Sequence, residues 1–219
     1  MRGLAIQAGP ALYLTARSTK PSFVCMARTK EFDRDRALRR AVEVFWDRGY
    51  EAASTEDLLA AMGIGRQSMY NAFGDKRRLY LEALRHYQAE SGAEMFERLS
   101  SADSPLSALA GVLLEVARQT EEERRRGCMA VNASTEFGQG DQDVGAIVGG
   151  GVDLCYASYE RLLASAKRAG EVRPDLDERA AARFLYSTLV GMRVQARSGA
   201  TPETLHDVAT VAIDGLRAR

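Results

Sequence analysis

The stretch STEDLLAAMGIGRQSMYNAFGDK, residues 54–76, reads as two short helices separated by a glycine-marked turn. Ser54 is a good N-cap for the first. Asp57 stands three residues on, where a reciprocal capping carboxylate belongs, and Leu58, Leu59 and Met62 supply an apolar stripe. Gly63 stops that helix, Ile64 is the single apolar plug of the turn, and Gly65 lets the backbone enter a second helix at a steep angle. The second helix spans about Arg66 to Phe73. Met69 and Phe73 fall four apart and face inward, which leaves Arg66, Gln67, Ser68, Tyr70 and Asn71 outside. These five are donor-rich and mostly short or planar, the chemistry that meets base edges and phosphate oxygens in a major groove.

Upstream, a helix from about Asp33 or Arg34 to Arg48 carries Leu38, Ala41, Val42 and Phe45 on one face, with Gly49 as its stop. Three helices thus make a compact head. Phe45, Gly49-Tyr50, Ser54, Leu58, Gly63-Ile64, Ser68-Met69-Tyr70, Phe73, and Lys76 followed by Leu79 resemble, position by position, the N-terminal pattern of the tetracycline-repressor (TetR) family of bacterial regulators. The resemblance covers residues 33–84. It departs from the family at Gly65, where Ser or Thr is usual, at Met69, where Leu is common, and at Ala72, where an aromatic or His is frequent. Ala72 removes a possible base contact, so the operator is not transferable from a relative. The resemblance and the side-chain chemistry together assign Arg66, Gln67 and Asn71 to base edges. They assign Thr55, Ser68, Tyr70 and Lys76 to phosphates. For Tyr70 a half-buried core position is the alternative.

The formal net charge is zero, which argues at first against a nucleic-acid partner, but the charge is uneven. Residues 1–40 carry nine Lys/Arg against three Asp/Glu, and the remainder carries 21 against 27. A basic end on an acidic body is compatible with a local DNA footprint. A solvated helix face and arm formed by Arg28, Lys30, Arg34, Arg36, Arg39 and Arg40 is the alternative. Three scattered cysteines, Cys25, Cys128 and Cys155, neither make a disulfide framework nor have metal-ligand spacing, and they point to a reducing, cytoplasmic setting. No segment is apolar for long enough to span a bilayer. Residues 1–27 read as an unstructured arm or an upstream-assigned start, with a secretory signal as the alternative. The head then occupies 28–75, and a linker helix with a ligand-binding and dimerisation body occupies 76–219.

The body reads as helical throughout, giving an all-α fold of about nine helices. A helix opens at Asp75 and runs through Leu79, Leu84 and Tyr87. Ser104 caps another, with Pro105 at its first position. The charge run Glu121–Arg126 reads as the solvated tail of that helix. The segment from Gly127-Cys128 to Phe137 is a short helix whose opening resembles the regulatory half of several TetR-like subgroups. Gly149-Gly150-Gly151 interrupts a long helical pattern over 142–169, at a cost of about 1 kcal/mol per glycine relative to alanine. Either a kink or a close-approaching neighbour must offset it, and close packing is the preferred account. Two last helices cover 177–198 and 202–217.

One recognition helix reads too few base pairs to select a site, so such heads act in pairs on a palindrome. The TetR resemblance implies a homodimer through the last two helices, with Leu189, Met192, Val208, Val211, Ala212 and Leu216 as the apolar patch. The same residues serve equally as intramolecular core. Polar or aromatic residues on apolar helices are candidates for an effector pocket: Asn132, Glu136, Tyr156, Tyr159, Tyr186 and Arg193, each with a core or surface alternative. Cys128, at a helix N-terminus beside Arg126, is either a redox or electrophile sensor or an inert buried thiol. A ligand-independent DNA-binding protein is a further alternative. His86 and His206 lack a matched nucleophile, and no phosphate loop or dinucleotide fingerprint occurs, so neither an enzyme nor a cofactor is expected.

Overall fold

The computed structural model describes residues 32–218, which form ten helices: α1 (Arg34–Ala52), α2 (Thr55–Met62), α3 (Arg66–Phe73), α4 (Lys76–Ser100), α5 (Pro105–Arg118), α6 (Glu121–Arg126), α7 (Met129–Phe137), α8 (Gln142–Arg168), α9 (Glu178–Arg197) and α10 (Pro202–Asp214). The fold is all-α; among the described residues the only β pairing is an isolated bridge between Val172 and Arg217. The expectations for residues 1–27, and for Arg28 and Lys30, lie outside the described residues. None of the described helices is long and apolar enough to cross a membrane.

The head forms where local signals agree. Ser54 and Asp57 close a reciprocal capping box on α2, and Gly63 ends it in the left-handed region (φ 67°). Gly65 caps α3. Inside α1, Gly49 breaks helical geometry at φ 79°, as its reading as a stop requires.

One element exceeds the count of about nine. Glu121–Arg126 is a separate helix and not the tail of α5, because Gln119 leaves helical geometry and Thr120 starts a new capping box with Glu123. The Thr-x-x-Glu signal for this restart stands in the sequence. Helix α8 runs unbroken through Gly149–Gly151. At Gly151 the reason is close approach: an added Cβ would strike the Gln88 side chain, whose amide donates to the Ile147 carbonyl at 3.0 Å. Nothing lies within 4 Å of a Cβ at Gly149 or Gly150, so close packing holds at Gly151 alone of the three.

Two apolar cores organise the chain, and they do not divide at residue 75. One joins the buried faces of α1–α3 and the first half of α4 to Cys128, Met129 and Ala133 at the start of α7 and to Val144 of α8. The other joins α5, the last half of α8, α9 and α10. Helices α4 and α8 belong to both. Leu79 through Tyr87 of α4 enter the head core, while Met95 and Leu99 pack on the body core.

Candidate nucleic-acid interface and buried chamber

Met69 and Phe73 of α3 are buried. Arg66, Gln67, Tyr70 and Asn71 are exposed, and Thr55 and Ser68 are partly exposed beside them. Tyr70 is 44% exposed, which removes the core alternative for that ring. The outer face is pre-paired with itself. Arg66 bridges Glu56 of α2 at 2.5 Å, and Gln67 donates to the Asn71 side-chain carbonyl at 2.9 Å. Lys76 lies back over the Tyr50 ring (4.5 Å to the centroid), with its ammonium 3.4 Å from the Glu51 carbonyl. Arg34, counted above with the basic face, is spent on Glu82 at 2.7 Å and on the Phe73 ring. Glu56 was not among the residues singled out from sequence, because α2 and α3 meet there only through the turn.

A chamber of about 460 Å³ opens at the seam between the two cores. Its walls come from both: Trp46, Tyr87 and Cys128 on the head side, and Val112, Val116 and Leu189 on the body side. On its wall the Arg193 guanidinium donates to Cys128 Sγ at 3.2 Å, and the Tyr87 hydroxyl donates to the same sulfur at 3.4 Å. Burial pushes the Cys128 thiol up, but Arg193, Tyr87 and the backbone N–H groups of Val131 and Ala130 together outweigh it and hold the thiol below its ordinary range. Burial works against the Arg193 charge, yet the neighbouring Cys128 sulfur and Tyr87 hold its pKa above the usual value. Burial drives Tyr87 well up, so it stays a neutral donor. Tyr186, also on the wall, is pushed up to about 12 by burial.

The other sequence candidates for the pocket lie elsewhere. Glu136 accepts from the backbone N–H of Tyr50 (3.0 Å) and Glu51 (2.8 Å), because the break at Gly49 frees those donors. Asn132 donates to the Arg126 carbonyl at 3.2 Å and so closes the end of α6. Tyr159 is a core residue, 1% exposed, and Tyr156 stacks edge-on against Tyr186 from outside the wall, with ring centroids 5.2 Å apart. In their place the structure supplies Trp46, Tyr87 and Arg126; periodicity marks Tyr87 only as part of an apolar stripe and gives none of the three a pocket role, because each lies on a helix whose partner across the seam is distant in sequence.

These wall residues tie the chamber to the head. Trp46 Nε1 donates to the Gly127 carbonyl at 3.0 Å, Arg126 stacks on the Trp46 ring at 4.4 Å, and Arg126 bridges Asp47 at 2.5 Å. A second strap joins α4 to the start of α8: Arg77 bridges Asp141 at 2.5 Å and Asp143 at 2.8 Å. Its hydrogen bonds hold the Asp141 carboxyl down to about 2.

Two family models match this chain. That of the bacterial regulatory proteins of the tetR family covers residues 37–83, and that of the tetracyclin repressor-like C-terminal domain covers residues 104–212. The chain belongs to the TetR family. A relative from Bacillus subtilis (strain 168), the uncharacterized HTH-type transcriptional regulator YezE, is 33% identical over 193 residues, 87% of this chain and 100% of its own. The HTH-type transcriptional repressor ComR of Escherichia coli (strain K12) is 31% identical over 187 residues, 83% of this chain and 88% of its own. Among solved structures, a cysteine mutant of the TetR family transcriptional regulator CifR, complexed with 26-bp double-strand operator DNA, superposes with a TM-score of 0.76 at 32% identity. It covers 86% of this chain and 99% of that one.

This TetR-family regulator keeps most of the residues proposed for its dimer patch to itself. Leu189, Met192, Ala212 and Leu216 are buried in the subunit's own core, Leu189 also on the chamber wall, and Val208 packs partly against that core. Val211, at 73% exposure, is the one member of that set left facing out, and Phe184 of α9 joins it at 49%. The alternation is helical: one stripe of each helix fills the bundle and the opposite stripe is free.

Proposed function

We propose that this protein is a homodimeric repressor that binds a palindromic operator through the outer face of α3 and is released by a small molecule entering the chamber. What carries the reading is the chamber's place at the seam, where Trp46 of the DNA-binding head forms part of the same wall as Leu189 of the body. A ligand there touches both halves, so its affinity depends on how they sit. By reciprocity, operator binding and effector binding then oppose each other. Arg66, Gln67 and Asn71 contact bases, and Thr55, Ser68, Tyr70 and Lys76 contact phosphates. Arg66 exchanges Glu56 for the DNA; an exposed ion pair of this kind is weak enough to be given up. The proposed dimer face is the exposed stripe of α9 and α10 around Phe184 and Val211, which suits a two-fold interface of self-complementary apolar residues. Operator-bound CifR supports the DNA partner, and the name of ComR supports the repressor role.

Selection of bound DNA from a random pool is the test. A two-fold symmetric site with half-sites about one helical turn apart is expected. A monomer by sedimentation with no preference among duplexes would overturn the proposal.

A second reading of the effector rests on Cys128. Its lowered thiol pKa, its contact with Arg193 and its place on the chamber wall are the conditions for a reactive thiolate. In this reading an electrophile or oxidant modifies Cys128, and the change reaches α1 through Gly127 and Arg126, its near neighbours in the chain. Cys128→Ser that still releases DNA under oxidant as the unmodified protein does would exclude it.

A further inference from the structure

Most charges on the chamber wall are spent. Arg98 faces Glu94 and Glu115 at 4.0 and 3.8 Å, Arg126 is paired with Asp47, and Arg124 donates to the Gln119 carbonyl. Arg193 differs. Among the described residues no carboxylate lies within 4.0 Å of it, and its one hydrogen bond, from Nη1, goes to Cys128 Sγ. A guanidinium has five N–H donors in a planar fork, so Nε and Nη2 remain unengaged on a wall where Val148, Val152 and Leu189 stand beside polar residues such as Gln88 and Ser91. For a part-buried guanidinium, a missing anionic partner is costly and a matched one is strongly held.

We infer that the chamber selects carboxylate-bearing electrophiles: Arg193 grips the carboxylate through its free donors while Cys128 attacks the reactive carbon. This rests on the reading of Cys128 as the reactive group. The free guanidinium face draws an acid to the sulfur. The product completes the argument. Alkylation turns the thiolate into a thioether and removes the negative charge beside Arg193. An adduct carrying a carboxylate puts that charge back, whereas a neutral adduct leaves the guanidinium unmatched.

Iodoacetate and iodoacetamide separate these cases, since they are close in size and place a carboxylate or a neutral carboxamide beside the same reactive carbon. With either, the thiolate forms a C–S bond, the C–I bond breaks and iodide leaves with its electron pair. Rates of modification at Cys128 are read by mass spectrometry on the full chain, and the iodoacetate-to-iodoacetamide ratio is divided by that of free glutathione. A corrected ratio of about ten or more is expected, the factor a charge-assisted hydrogen bond supplies. Arg193→Gln should bring it to within about twofold of glutathione, while Arg193→Lys, which keeps the charge, should retain a preference for the acid.

A corrected ratio near one in the unmodified protein overturns the selection. If both reagents then release the DNA recovered by selection, the reactive-cysteine reading survives without it. Preferential reaction with iodoacetate that leaves DNA bound supports the selection and removes the sensor role. Failure of both reagents to label Cys128 in the folded protein overturns both.

Discussion

The recognition helix and the chamber are built by opposite means. Helix α3 is eight residues long, is capped by glycine at both ends, and buries only Met69 and Phe73. Its functional side chains are neighbours in sequence and point outward because the inward ones are apolar. The chamber has no such local origin. Two of its bonded wall groups, Cys128 and Arg193, are 65 positions apart, and its link to the head joins Trp46 to Gly127 across 81. The face proposed to meet DNA can thus be encoded on one helix, whereas the chamber proposed to hold an effector needs elements brought together from distant parts of the chain.

The largest test of that contrast is the continuity of the head core. Phe45 is buried against Tyr80 in the cluster that also holds Met129 and Val144. Phe45→Ala should cost about 3–5 kcal/mol and lower one cooperative transition for the head and α7 together. Separate melting of the head, followed by chemical denaturation with two probes, would break the picture of a shared core.

On the DNA side, Arg66→Ala should lose about ten- to a hundredfold in discrimination between operator and mismatched sites. Lys76→Ala should weaken all sequences alike and reduce the salt slope by about one. Equal losses from both variants on specific and random duplexes would contradict the division into base and phosphate contacts.

Trp46→Phe keeps most of the apolar contact but removes the hydrogen bond to Gly127, a change of about 1 kcal/mol in stability. It should alter the effector concentration needed for release more than it alters operator affinity. The reverse pattern, measured by titrating release in both proteins, would move the transmission route to α4 alone.

The pH profile of Cys128 alkylation should inflect below that of an ordinary thiol, because its folded pKa is depressed. By the same sign, its thiolate stabilises the fold above the unfolded thiol pKa, and this contribution is lost as pH falls through the lower folded value. An Arg193→Gln profile shifted toward the ordinary value would attribute the effect to the guanidinium. The smallest effect belongs to Glu56→Gln, which frees Arg66 and removes a negative charge facing the DNA. A gain of about two- to threefold in operator affinity is expected, and a loss on titration with operator duplex would mean that Glu56 positions Arg66.

Helix ends were legible where a cap is a local event: Ser54, Gly63 and Ser104 each occupy the position their side chain or backbone freedom demands. The restart at Thr120 follows the same rule and was hidden by reading the following charge run as one solvated tail. Burial was less legible. Leu189 and Val211 are both apolar residues at helical spacing on the last two helices, yet one fills the core and the other faces out at 73% exposure. Period alone marks a stripe without saying which neighbour covers it. Glu136 shows the same limit for polar groups. An acid on an amphipathic helix suggests a pocket, but here it answers two backbone donors left by Gly49, which only the packing of α7 on α1 brings within reach.

The amino-acid order alone determined the all-α class, the three-helix head and the exposed side chains of α3, because caps, glycine stops and a 3.6-residue period act over a few neighbouring positions. Tertiary structure alone decided that Trp46, Cys128 and Arg193 share one chamber, that Glu136 braces the head, and that Phe184 and Val211 remain uncovered. Those outcomes depend on which helix faces meet across the seam between two cores, and long-range packing, with its burial and charge pairing, settles that only once the chain is folded.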